Sequence, residues 1–322
     1  MRVVVLHDEV PEDAPPDQID TLVQAGEVSR ALARLGHEPM GLGFSLPPDR
    51  TAAQLRKLRP DLVFNLVESP NGSGRFIHLS PQLLDSLGLP YVGAKTEAMR
   101  RTSNKLEAKE FLQSSGLPTP AWLPDGRSGP LDPEAHYVIK SVWEHGSVGL
   151  DGDSVLPGSD PQRLLAELER RRSSLGGECF VEEYIEGREF NLSLLAGEVL
   201  PPAETIFDGY TPDMVKVVGY RAKWLEDSYE YHHTLRLFDF PAGDKPLLRK
   251  IRRLARLCWK AFELRGWARV DFRVDSGGGP FILEVNADPC LSSDAGFMAA
   301  AERAGLDQEE VVSRIIEDAE RR

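Results

Sequence analysis

The stretch from Gly266 to Phe297 constrains this chain more than any other. Trp267 to Val274 alternates strictly, placing Arg269, Asp271 and Arg273 on one face and Val270, Phe272 and Val274 on the other, the pattern of a half-buried strand. Asp275-Ser276-Gly277-Gly278-Gly279-Pro280 can only turn, and Phe281 to Asn286 resumes an extended pattern in which Glu284 and Asn286 share a face. The two runs predict an antiparallel hairpin. With Val274 across from Phe281, Asp271 falls opposite Glu284 and Arg269 opposite Asn286. Directly opposed carboxylates repel, so such a pair calls for a cation between them or a proton held on one. Two carboxylates and a carboxamide oxygen make an all-oxygen set suited to Mg2+ or Mn2+ rather than zinc, with the remaining ligands coming from water and substrate phosphate. The same charged residues would serve equally as a solvated salt-bridge ladder, and alternation alone does not separate the two.

At 322 residues, 41% hydrophobic and 28% charged, the chain is long enough for two or three domains sharing one cleft. A net charge of -13 with no basic stripe argues against a nucleic-acid partner. No apolar run approaches the ~20 residues of a membrane span. Met1-Arg2 leads directly into Val3-Val4-Val5-Leu6 without a signal cleavage site, so a cytoplasmic location is expected. Cys179, Cys258 and Cys290 are widely spaced and suggest neither a disulfide frame nor a zinc site. Cys290 lacks a partner base and reads as a small packing residue.

Taken in order, Val3–Leu6, His37–Phe44 and Asp61–Val67 read as strands that alternate with helices at Ile19–Leu35 and Ala52–Leu58, which implies a parallel sheet. In the first helix the expected apolar face is Ile19, Leu22, Val23, Val28, Ala31, Leu32 and Leu35. Ligands bind beyond the carboxyl ends of such strands, which singles out Glu68 and the loop behind it; a solvated loop carboxylate is the alternative. Lys105 opens a further helix. The strand Tyr137–Lys140 then runs into a small-residue loop ending at Gly149, where backbone N–H groups and Lys140 could receive phosphate charge, although an ordinary hairpin turn would look similar. The run from Cys179 to Asn191 is an apolar strand that ends in acidic residues and reverses at Gly187. Val199–Ile206 is expected as one strand, and the irregular segment Phe207–Tyr231 as a lid that would exclude water.

The ordered set Lys105, Val138-Ile139-Lys140, Glu144 to Gly149, Val181 to Phe190, Arg221-Ala222-Lys223, Arg269-Val270-Asp271 and Glu284-Val285-Asn286 resembles the ATP-grasp superfamily, and within it the D-alanine–D-alanine ligases. The resemblance covers nearly the whole chain. It implies an α/β chain, α+β toward its C-terminus: an N-terminal parallel α/β domain (1–94), a central subdomain with the phosphate loop (95–178) and a C-terminal subdomain with the metal site (179–322). It implies Lys105, Lys140 and Ser147 on ATP phosphates, Glu182, Tyr184 and Ile185 around adenine, and Glu189 on ribose. Lys223 would meet the transferring phosphate, Asp271, Glu284 and Asn286 would hold Mg2+ or Mn2+, and Arg269 would stabilise the developing oxyanion, with Ser147 and Lys223 assisting.

The family's glycine-rich serine pair is Gly146-Ser147 here and the tyrosine expected after the lid lysine is Trp224; the other departures fall in the amino-acid half. The family's N-terminal glycine-rich loop is replaced by the acidic His7–Asp17, an expected histidine is Glu68, Cys290 stands at an expected glycine, and Asp294-Ala295-Gly296 stands where a Ser-Leu pair is usual. Glu68 and Asp294 are therefore the candidate substrate contacts. The resemblance implies an ATP-dependent carboxylate–amine ligase working through an acyl phosphate on small-molecule acid and amine substrates, and the departures point to an amino acid or peptide other than D-alanine. Genuine D-alanine–D-alanine ligation and ATP binding without ligation are the alternatives. A homodimer stays open.

Overall fold

The structure is a computed structural model that describes residues 1–144, 146–173 and 175–321; His145, within the expected phosphate loop, lies outside the described residues. Three sheets follow one another along the chain. The first comprises β1 (Arg2–Asp8), β2 (Glu38–Phe44), β3 (Leu62–Leu66) and β4 (Tyr91–Val92), all parallel in the order β2-β1-β3-β4, connected by α1 (Pro16–Arg34), α2 (Asp49–Leu58) and α3 (Leu79–Leu87). After α4 (Thr96–Ser103) and α5 (Lys105–Ser114), β5 (Trp122–Leu123), β6 (His136–Ser141), β7 (Val155–Pro157) and β8 (Cys179–Glu183) form an antiparallel sheet, β5-β8-β6-β7, with α6 (Pro161–Arg172) crossing between β7 and β8.

The third sheet contains β9 (Arg188–Leu195), β10 (Glu198–Val199), β11 (Ala203–Phe207), β12 (Thr234–Leu237), β13 (Trp267–Val274) and β14 (Pro280–Asn286), in the order β12-β11-β9-β13-β14 with β10 on β9. The lid between β11 and β12 carries α7 (Tyr220–Trp224) and α8 (Tyr229–His233); α9 (Lys245–Ala261) precedes the hairpin, and α10 (Gly296–Arg303) and α11 (Gln308–Glu320) follow it.

Four expectations change. Strand β8 pairs with β6 and β5, so the break expected before Cys179 falls one strand early and the central sheet runs through Glu183. The expected strand Val199–Ile206 is two, because Pro201 and Pro202 lack the N–H groups a ladder needs. Ile19, Leu22 and Val23 are exposed, while Thr21, Gln24 and Ala25 face inward. The first turns of α1 are rotated because Gln24 is used as a polar bridge: its Nε2 donates to Glu68 (2.8 Å) and its Oε1 accepts from the Leu291 backbone (2.8 Å). Finally, Val274 faces Pro280 and Arg273 faces Phe281, one step from the expected register. A bulge at Leu283 then restores it, leaving Asp271 opposite Glu284 and Arg269 opposite Asn286.

One core spans the N- and C-terminal parts. Val3, Val5, Val28, Leu32 and Phe64 pack with Phe297, Val311 and Ile315, and around Trp267, whose indole N–H donates to Pro289 O (2.9 Å). This shared core brings the loop after β14 onto the carboxyl ends of β1 and β3. A second core, under the other face of the hairpin, joins Val270, Phe272 and Ile282 to α4, α5 and α9. Gly187, at φ +150°, makes the turn from β8 to β9; a Cβ there would lie 2.0 Å from Val274 O, so only glycine lets the two strands of the site approach.

Candidate active site

The hairpin presents its polar face to a ring of cations. Arg269 donates a two-pronged pair of hydrogen bonds to Asp271 (Nε–Oδ1 2.8 Å, Nη2–Oδ2 2.9 Å), and Asn191 on β9 donates a third to Oδ1 (2.8 Å). Burial works against the Arg269 charge, but Asp271, Glu284 and Glu189 outweigh it and raise the guanidinium above its ordinary range. Here the repulsion between opposed carboxylates is answered by arginine. Lys223, on α7 of the lid, completes the group: burial and Arg269 depress its ammonium, with Glu284, Asp271 and Glu189 opposing them. Lys105 is likewise depressed by burial and held up by Glu284. Glu284 is thus within electrostatic reach of Lys105, Lys223 and Arg269 together.

The lysines are set by local structure. Asn104 caps α5 by accepting from the N–H groups of Leu106 and Glu107 (3.0 and 3.1 Å), which puts Lys105 at the first helical position, and its Nζ donates to Glu144 O (2.5 Å). Lys109, one helical turn on and not singled out by the sequence reading, is fully buried against Glu182 (2.5 Å) and donates to Thr119 (2.9 Å). Lys140 pairs with the other Glu182 oxygen. Burial opposes the Glu182 charge, yet the two lysines hold its carboxyl below the usual range. On the far side, Glu189 pairs with the buried Arg273 (2.9 Å), a second residue to which the sequence reading gave no role; Tyr184 donates to Lys216 O (3.1 Å), and Ile185 is buried alongside.

The lid lies down on the phosphate loop. Ser147 Oγ donates to Val218 O (2.7 Å), Trp224 Nε1 to Gly146 O (3.0 Å) and the Tyr220 N–H to Leu150 O (3.0 Å), while the Tyr220 hydroxyl reaches Asp17 of α1 (2.9 Å). Ser147 itself has φ +65°, a strained backbone for serine and one found at functional loops. Gly219 permits the approach, since a Cβ would sit 2.5 Å from Leu150 O. Gly219→Ala is therefore expected to lower kcat by ~10-fold or more by propping the lid open, with far-UV dichroism unchanged; an unaltered kcat would show that closure does not need this contact. A cavity of about 220 Å³ between the lid and Asp151–Asp153 is lined by none of the residues expected at the nucleotide or metal.

Among the described residues no three His, Cys, Asp or Glu side chains converge as a metal-binding group. A divalent ion here would rest on Asp271, Glu284 and the Asn286 carboxamide, whose Oδ1 accepts from the Asp288 N–H (2.9 Å) and keeps a second lone pair. That oxygen-only set fits Mg2+, with Arg269 as the group that yields or shares Asp271.

Residues 139–317 match the family described as D-ala D-ala ligase C-terminus. The chain belongs to the D-alanine–D-alanine ligase family. It is 30% identical over 295 residues to the D-alanine–D-alanine ligase of Aquifex aeolicus, covering 90% of this chain and 92% of that one. It is also 30% identical over 314 residues to an uncharacterised Sinorhizobium fredii protein, y4sG, covering 92% and 88%. Its fold matches the crystal structure of the Bacillus anthracis D-alanine–D-alanine ligase complexed with ATP at a TM-score of 0.75, with 20% identity over 100% of this chain and 98% of that chain. The ATP-grasp fold and an ATP-dependent carbon–nitrogen ligase follow from the family, and its substrates are small molecules. No helix among the described residues is long and apolar enough to cross a membrane.

Among the departures from the family, Glu68 and Cys290 lie together with Asp8 of the acidic loop. Glu68 sits beside Asp8, Asp20 and Asp288, with Arg269 as the nearby cation. Burial pushes the Glu68 carboxyl up to about 8, against the Gln24 hydrogen bond and reinforced by Asp8 and Asp20. Burial raises Asp8 to about 6, against hydrogen bonds from the Ser69 and Glu68 N–H groups. Cys290 donates to Asp20 (2.9 Å) and is pushed far up by burial and these carboxylates, so it is a thiol and no nucleophile. Asp294 is not in this group: it is exposed, and its backbone oxygen accepts from Arg236 (3.0 Å). A carboxyl whose folded value is raised contributes stability below its ordinary value and loses it as pH climbs through the folded value. Wild type is therefore expected to lose urea stability relative to Glu68→Gln between about pH 5 and about pH 8; a difference that does not change with pH would contradict the burial of this charge.

Proposed function

We propose that this enzyme is a carboxylate–amine ligase that forms an amide through an acyl phosphate and acts on an amino acid or peptide other than D-alanine. The observation that carries the reading is the gathering of Lys105, Lys223 and Arg269 around the Asp271–Glu284 pair under a lid bonded to the phosphate loop. Lys105 and Lys140 would neutralise ATP phosphates beside Ser147 and the loop backbone, with Glu182, Tyr184 and Ile185 at adenine and Glu189 at ribose. Asp271, Glu284 and Asn286 would hold Mg2+ or Mn2+, which when bound would offset phosphate charge. A substrate carboxylate oxygen attacks the terminal phosphorus, the bond to ADP breaks, and Lys223 meets the phosphoryl group in transit. The amine nitrogen then attacks the acyl carbon; Arg269 stabilises the oxyanion, phosphate departs and the nitrogen loses a proton. The closed lid keeps water from the acyl phosphate. Glu68 and Asp294 are proposed as substrate contacts.

A coupled assay is expected to show ADP and phosphate release only when an acid and an amine are both supplied. A broad panel without turnover, despite ATP binding, would overturn the reading. The relatives named as D-alanine–D-alanine ligases favour a second reading, genuine D-alanine ligation. Dipeptide formed from D-alanine and ATP would establish it.

A further inference from the structure

Asp8 ends β1, Glu68 follows β3 and Asp288 lies in the loop after β14, three elements meeting because the N- and C-terminal parts share a core. Asp8 and Asp288 are 4% and 5% exposed, and each carries a buried carboxyl oxygen, Asp8 Oδ1 and Asp288 Oδ2, without a hydrogen-bond partner among the described residues. Asn65, on the same face of the sheet as Asp8 and 1% exposed, has neither its carboxamide oxygen nor its nitrogen bonded among the described residues. Folded proteins leave few such atoms, because each forfeits the hydrogen bonds water would have given it. A cavity of about 20 Å³ lies between Glu68, Asn286 and Asp288 on one side and Met99, Thr102 and Ser103 of α4 on the other; Asp8 stands behind it, tied to the Glu68 backbone. That is room for one water-sized group.

The charges facing this space are uneven. Asp20 of α1 is engaged by Cys290 and Ser292, Gln24 donates to Glu68, and Arg269, a guanidinium acting on Glu68, is spent on Asp271. Four carboxyl groups thus gather near a cation already committed elsewhere. An alkyl ammonium offers three N–H donors and no acceptor, and its head is the size of a water molecule; a planar guanidinium is too large for the space. Among the described residues no three of these carboxylates converge tightly enough for a metal ion.

Resting on the ligase reading above, we propose that Asp8, Glu68 and Asp288 form a subsite for a primary ammonium and select a substrate with net positive charge, a diamine or a dibasic amino acid. An ammonium among carboxylates keeps its proton and has no lone pair with which to attack. It is therefore a spectator amine, and the substrate carries it in addition to the reacting group. A neutral zwitterion of alanine size brings a carboxylate along with its ammonium and so offers this acidic group no net positive charge.

The test is binding by thermal shift and calorimetry to the full chain with Mg2+ and a non-hydrolysable ATP analogue. The probes are lysine of each hand and 1,4-diaminobutane, set beside N6-acetyl-lysine, norleucine and butylamine, and ADP release is followed with the same compounds. Dibasic probes are expected to bind at least ~10-fold more tightly than their acetylated or monoamine counterparts, with the preference lost in Glu68→Gln and in Asp8→Asn while affinity for the ATP analogue is kept. Equal affinity for both sets, or a preference that survives in both variants, would overturn the subsite. Preferential binding without ADP release from any acid and amine pair would retain the subsite and overturn the ligase reading instead.

Discussion

Arg269→Ala is expected to cut kcat by ~100-fold while changing ATP affinity only slightly, the signature of a group that acts on charge developing in the transition state. The structure adds a reason for the size of the loss. The two-pronged bond from Arg269 helps, with Lys105 and Lys223 near Glu284, to make the Asp271–Glu284 pairing tolerable, so its removal also sharpens the repulsion between two opposed carboxylates. Arg269→Lys should recover little, because an ammonium restores the charge without the planar fork. Initial rates at saturating ATP, set against calorimetric ATP affinity for the same variants, check this. Parallel losses in both quantities would mean that Arg269 serves nucleotide binding and not the chemical step.

The largest effect on stability is expected at Glu182. Its side chain is 1% exposed on β8 and takes Lys109 on one oxygen and Lys140 on the other. Glu182→Ala would strand the Lys109 ammonium, 2% exposed, inside the central sheet; breaking one partner of such a buried group costs about 3–5 kcal/mol. Lys140 is more exposed and can turn to water. Replacing both Glu182 and Lys109 by leucine should therefore recover much of the loss, since a well-packed apolar pair is often as stable as a buried ion pair. Urea unfolding of the two single variants and the double variant measures the coupling. A single-variant cost under about 1 kcal/mol would place the triad's role outside stability.

Much of the architecture was legible because strands and helices write their periods within a few residues. The hairpin illustrates both the reach of that reading and its edge. Alternation placed Arg269, Asp271 and Arg273 on one face correctly, yet the turn was read one residue too long, and the bulge at Leu283 had to restore the register. Lys109 carried a readable signal, since it lies one helical turn after Lys105. Its partner Glu182 sits on β8, far along the chain, and nothing local names that strand. Gln24 was missed for the opposite reason: three apolar neighbours suggested a buried face that tertiary contacts turned outward in favour of one amide bridging Glu68 and Leu291.

The chain's own order of residues determined the alternating strands, the capped start of α5 at Lys105, the glycine turns and the kinds of functional group on offer. Only the tertiary structure decided which charge answers which: Arg269 for Asp271, Arg273 for Glu189, two lysines for Glu182, and, among the described residues, no ion pair for Asp8, Glu68 and Asp288. The reason is physical. Backbone periodicity is a property of neighbours in sequence, whereas neutralising a buried charge depends on partners that long-range closure delivers and on how much water that closure removes.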